Sequence, residues 1–186
     1  SGILYPKERD PRAFFAALSQ LKITGMINAD QLQIVLRATG SDDLYRSQLV
    51  ALNLQDIVRL EPPIAYRDAL REMLRADGLL LFQGSVCDHQ VPAKIYEYYR
   101  ANRPILALVG LGGISAAMLR EAGIEDLANM ADARQIAEVI SAFLGKLRNG
   151  KAGGVARDFA TRNSRRSRTR ELARLLDDLL ATRKVR

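Results

Sequence analysis

The stretch from Gly78 to Val109, GLLLFQGSVCDHQVPAKIYEYYRANRPILALV, decides the fold. It opens on a run without a polar side chain, Gly78 to Phe82, and closes on another, Ile105 to Val109. Between them Pro92 suits the first turn of a helix whose buried face is Ile95, Tyr98 and Tyr99. Two apolar runs joined through one helix read as a strand–helix–strand unit. A strand that is apolar at every position is covered on both faces. The sheet is therefore expected to be parallel, with helices on each side.

The same alternation extends in both directions. Upstream, Leu32 to Ala38 (LQIVLRA) is an apolar run closed by Thr39-Gly40, a strand followed by a turn. Ser41 is placed to cap the next helix, with Asp42 and Asp43 in its first turn and Tyr45, Leu49 and Leu52 on one face. Asp56 to Leu60 is a further strand ended by Pro62-Pro63, and Tyr66, Leu70, Met73 and Leu74 then repeat at helical spacing. Ahead of these, Gly2 to Tyr5 reads as the end of a strand. Asp10-Pro11 reads as the cap and first-turn proline of a helix carrying Phe14, Phe15, Leu18 and Leu21. Downstream, Gly110 to Gly113 leads into a short helix ending at Glu121, and a weak strand lies near Leu127. Asp132 caps a helix with Ile136, Ile140, Phe143 and Leu147 on one face. The expected fold is a doubly wound, mainly parallel, Rossmann-like α/β domain over residues 1–150. Residues 151–186 are expected to be a basic linker and a helix striped by Leu172, Leu175, Leu176, Leu179 and Leu180.

The chain has 186 residues and a formal charge of +7. From Arg157 to Arg186 there are ten basic and four acidic residues, so nearly all of that excess belongs to the tail. Its cluster of Arg162, Arg165, Arg166, Arg168 and Arg170 fits first a solvated helix face or mobile segment, next an anionic membrane surface, and last a nucleic-acid-binding module led by the tail. No nucleic-acid partner is expected, because no aromatic side chain follows Phe159 to stack on bases. A hydrophobic share of 48% excludes a mainly disordered chain. One Cys excludes an internal disulfide, and one Cys with one His is too few for a thiolate–imidazole zinc site, so no metal and no cofactor is expected. No apolar run approaches the ~20 residues of a membrane-spanning helix. The opening residues lack the basic-then-apolar pattern of a signal peptide. The expectation is a cytoplasmic protein, peripheral at most to the inner membrane face.

Doubly wound sheets bind ligands outside the carboxyl ends of their strands. The loops of interest are therefore Leu4 to Asp10, Glu61 to Ala65, Gln83 to Val91 and Gly110 to Ser115. Three of them precede helices, whose free N–H groups favour phosphate. Gly110 and Gly112 fit a dinucleotide fingerprint only in part, since Ser115 stands where its last glycine or alanine belongs. Lys94 and Glu97, three apart, fit either a surface ion pair or a phosphate ligand beside a ribose acceptor. Lys7 and Arg9 fit either a diphosphate or plain solvent. His89, in the loop ahead of the Lys94 helix, is a candidate for catalysis or for local hydrogen bonding; Cys87 reads as incidental.

Three runs then resemble a known family: Ala76 to Phe82 (ADGLLLF), Val91 to Tyr98 (VPAKIYEY) and Asn102 to Leu108 (NRPILAL). Together they are similar to the carboxyl-terminal half of family 4 glycosyltransferases of the two-domain GT-B type, in the variety that assembles bacterial surface polysaccharides. Ser1 to Tyr5 with Arg9 to Pro11 resembles the first strand and loop of that half. Asp132 resembles the aspartate opening its last core helix. The resemblance runs to about Leu147. It implies a nucleotide-diphosphate sugar donor, with Glu97 on the ribose, Arg9, Lys94, Gly112 and Gly113 at the diphosphate, and Pro63, Ile64 and Ala65 around the base. It also implies retaining transfer to a glycan or lipid-linked acceptor held by a separate N-terminal domain, so that this half alone is expected not to turn over. The family often carries two glutamates separated by seven residues; counting back from Glu97 puts the first at His89, so that carboxylate, which in the family faces the transferred sugar, is absent, and His89 is left as the candidate catalytic residue.

Overall fold

The computed structural model describes residues 2–183. Helix α1 (Arg12–Ile23) leads to strand β1 (Ile34–Arg37), helix α2 (Asp42–Ala51), strand β2 (Val58–Glu61), helix α3 (Tyr66–Arg75) and strand β3 (Leu79–Gln83). Then come α4 (Lys94–Ala101), β4 (Ile105–Val109), α5 (Ile114–Glu121), β5 (Leu127–Asn129), α6 (Ala133–Arg148), α7 (Arg157–Arg162) and α8 (Arg165–Arg183). All strand pairings are parallel. β1 lies beside β2, with Ile34 opposite Val58 and Arg37 opposite Glu61. A separate sheet has the order β3-β4-β5.

Why Leu79 to Phe82 of β3 and all of β4 are apolar is plain from their packing. Leu80, Phe82, Leu106 and Leu108 join one core with residues of α1 and α6, among them Phe14, Leu18, Ile140 and Phe143. Their neighbours Leu79, Leu81, Ile105, Ala107 and Val109 join a second core with Ile95 and Tyr99 of α4 and Leu119 of α5. Successive side chains point to opposite faces, and both faces are roofed by helices. Asp132 caps α6 as its sequence implies, accepting the Gln135 N–H at 3.0 Å. Asp10 also acts as a cap, accepting the Arg12 N–H at 3.0 Å, but Pro11 lies ahead of α1 rather than inside it. Pro92 likewise precedes α4, and its carbonyl accepts the Ile95 N–H. Ser41 sits at the start of α2 without a side-chain capping bond.

Two expectations need adjusting. The parallel strands form two small sheets, not one, because Gly2 to Tyr5 is not a strand. Gly2 and Leu4 donate to the carbonyls of Arg37 and Thr39 at 2.8 and 2.9 Å, two steps of a parallel ladder on β1. The chain then turns, with Glu8 and Arg9 donating back to the Tyr5 carbonyl. Among the described residues this segment makes no backbone bond to β3. The second adjustment is α3, whose apolar spacing implies a buried face. It has no buried residue, and Tyr66 is 66% exposed.

The packing of the domain runs past residue 150. Val155 is buried in the α4/α5 core, and the Phe159 ring of α7 meets Tyr99 edge-on at 5.6 Å. Beyond it, the leucine stripe of α8 is exposed. No described helix is long and apolar enough to cross a membrane.

Candidate anion and nucleotide site

The loops that follow β1 and β3 meet the N-terminal segment, Gly40 lying against Ile3 and Gly84 against the Glu8 carbonyl in the turn after Tyr5. In that turn Arg9 donates from Nη1 to the Ile3 carbonyl at 3.3 Å, and its guanidinium lies 5.8 Å from the Tyr5 ring centre. Its Nε is buried and has no hydrogen-bond partner. Lys94, the first residue of α4, is half-buried and reaches back over Gly2. A side chain at position 2 would occupy the place of the ammonium, and Gly2 has φ +122°, so glycine is required there on both counts.

Burial, and after it the charge of Arg9, hold the Lys94 ammonium below the usual lysine range, while Glu97 acts in the opposite direction. Lys94 makes no hydrogen bond or ion pair among the described residues, so the surface pair with Glu97 that the spacing allows is not formed. Glu97, one turn further along α4, is half-buried and accepts from the Tyr66 hydroxyl at 3.3 Å. Arg9, Lys94 and Glu97 line one cavity of about 890 Å³ together with Gly2 and Tyr66. Two cations held side by side with donors to spare are an arrangement that an anion relaxes. A carboxylate one turn away is an acceptor for hydroxyl groups.

The other sequence candidates lie elsewhere. Pro63, Ile64 and Ala65 are exposed in the β2–α3 loop, outside the cavity wall but directly ahead of Tyr66, which belongs to it. That loop is braced by Arg37, which donates to the Pro62 carbonyl at 2.7 Å and forks onto Glu72 at 2.6 and 2.7 Å. Gly112 is open to solvent, whereas Gly113 is buried. The Asp88 carboxylate lies against both Gly110 and Gly113, so a negative group already sits at the turn into α5. His89 is exposed, near Gln90 and outside the cavity. Cys87 is buried. Among the described residues no group of three or more potential metal ligands is gathered in one place.

Comparison with protein-family models and with the curated proteins finds no match.

Two residues of the site escape sequence inspection. Tyr66 reads as part of a buried helical stripe, yet its hydroxyl is turned to Glu97. Gly2 reads as the start of a strand, yet its role is to make room for Lys94. A glycine just ahead of an apolar run is the only hint of the second. Nothing in the spacing of Tyr66 signals the first.

Proposed function

We propose that this chain is the donor-binding half of a glycosyltransferase of GT-B type, taking a nucleotide-diphosphate sugar. The observation that carries the reading is the pairing of Arg9 with Lys94, both with unused donors, in one cavity with a half-buried glutamate. In this reading the two cations hold the diphosphate and Glu97 accepts from ribose hydroxyls. The base extends toward Pro63, Ile64 and Ala65 past the Tyr66 ring. The bond between the sugar's anomeric carbon and a diphosphate oxygen breaks, and the acceptor oxygen takes that carbon while losing its proton. Negative charge builds on the departing diphosphate, where Arg9 and Lys94 stabilise it. The acceptor sits on a second, N-terminal domain, so the chain alone binds without turning over. Gly112, Gly113 and His89 lie away from the Arg9–Lys94 pair, and the proposal gives them no part in holding the phosphates.

A second reading, a non-catalytic nucleotide-binding domain of the same fold, is favoured by the absence of a carboxylate at the position held by His89. Both readings predict calorimetric binding of nucleoside diphosphates and much weaker binding of the parent nucleosides. Equal affinity for the two would remove the diphosphate from either account. Sugar transfer after addition of an acceptor-binding domain decides for the enzyme; its absence under conditions where donor binds decides for the alternative.

A further inference from the structure

The two sheets face each other across a slot. Ile34 and Ala38 of the β1 region donate their N–H groups toward β2, to Ile57 and Glu61. In an extended strand successive residues alternate, so the peptide groups of Val35 and Arg37 face away from β2. Leu79 donates to Pro104 on the β4 side, and Gly110 donates to Gln83. By the same alternation the peptide groups of Leu80 and Phe82 face away from β4. Both open edges look into the one cavity, whose wall includes Ile34 to Arg37 and Leu79 to Phe82.

That cavity also has an apolar floor and roof. Phe14 and Leu18 of α1 with Ile140 and Phe143 of α6 line it, and so do Ala69, Leu70 and Met73 of α3. This explains why α3 has an apolar stripe and yet no buried residue. Apart from the Arg37 carbonyl, which accepts from Gly2, and the Leu80 carbonyl, which accepts from the Tyr98 hydroxyl, these two parallel edges have no strand partner among the described residues; with apolar helices roofing both faces, they are the surroundings of a missing central strand. The ladder that would hold it has already begun. Gly2 and Leu4 step along the carbonyls of Arg37 and Thr39 in the same direction as β1.

We infer that the slot takes one extended, apolar β-strand, parallel to both β1 and β3 and leading directly into Gly2, which joins the two sheets into one. The inserted backbone pairs with Val35 and Arg37 on one side and with Leu80 and Phe82 on the other. Its side chains, alternating up and down, are apolar on both faces. At about 3.3 Å per residue, four or five residues match the lengths of β1 and β3. This inference does not rest on the sugar-transfer reading, since the slot would be filled whatever the cations at its mouth bind.

The test compares amide hydrogen exchange in three proteins: the chain as it stands, the chain with five alternating valine and isoleucine residues fused ahead of Ser1, and the same fusion with proline at the centre. Expected is a slowing of at least about tenfold at Val35, Arg37, Leu80 and Phe82 in the valine–isoleucine fusion only. The amides of the β3–β4 ladder serve as the reference for a paired strand. Equal exchange in both fusions would overturn the inference. So would slot amides that in the unfused chain already exchange as slowly as that ladder.

Discussion

Lys94 is the residue on which most of the site converges: burial and Arg9 weaken its hold on its proton, and Glu97 strengthens it. Tyr98, on the same helix, is shifted oppositely. Burial, then the charge of Glu97, pushes its hydroxyl from 10.0 up to about 12. It donates to the Leu80 carbonyl at 3.2 Å. The folded chain holds this proton more tightly than the unfolded one. The resulting stability is fully present below about pH 10 and is lost as the pH rises toward about 12. Tyr98→Phe is expected to cost about 1 kcal/mol at neutral pH for the lost hydrogen bond. It should also flatten the fall in urea midpoint between those two pH values. Lys94 titrates in both proteins, so the difference between them isolates Tyr98; identical alkaline profiles would contradict the assignment. Ala38, just past β1, has φ 57°. The left-handed conformation costs a residue with Cβ about 1–2 kcal/mol, part of which glycine returns through its freer unfolded chain. Ala38→Gly is expected to raise stability by about 0.5–1 kcal/mol in denaturant unfolding.

At the scale of elements, α7 and α8 differ although the sequence groups both in one basic tail. Val155, just ahead of α7, is 1% exposed, whereas Leu176 of α8 is 52% exposed. Val155→Ala is therefore expected to cost about 1.5–3 kcal/mol, and Leu176→Ala less than about 0.5 kcal/mol. Comparable losses from the two substitutions, measured by thermal unfolding, would mean that α8 packs on the domain as α7 does. The strand–helix–strand unit from Gly78 to Val109 was legible because runs apolar at every position have no other stable use than a sheet covered twice. Gly2 to Tyr5, read as the end of a strand, makes two ladder bonds to β1 without forming a regular strand, for a reason that lies outside local pattern. Its composition suits a strand, but after two ladder bonds to β1 the chain turns back on the Tyr5 carbonyl, so the run ends before a regular strand is established. The stripe on α3 was read correctly as apolar. What it packs against is a matter of tertiary arrangement that spacing does not encode.

Over the whole molecule, charge and chemistry separate. The excess of basic residues lies in the tail, where Arg162 pairs with Asp158 and Arg168 with Glu171. The body is nearly balanced, and within it the two cations of the proposed site are Arg9 and Lys94, far apart in sequence. Sequence inspection named both, and Glu97, as candidates, and the structure sets all three on the wall of one cavity. It also placed Gly112, Gly113 and His89 with them, since loops after parallel strands open on one edge of a sheet. It had no means of seeing that the Asp88 carboxylate covers Gly110 and Gly113. In the proposed site Arg9 and Lys94 hold a diphosphate while Glu97 holds the ribose beside it. Calorimetry with inorganic pyrophosphate and with a nucleoside diphosphate, on the unaltered chain, Lys94→Ala and Glu97→Ala, separates the two roles. Lys94→Ala is predicted to weaken both ligands. Glu97→Ala is predicted to weaken the nucleoside diphosphate alone, by about 1.5–3 kcal/mol. Affinities left unchanged by both substitutions, or a Glu97→Ala loss just as large for pyrophosphate, would contradict the account.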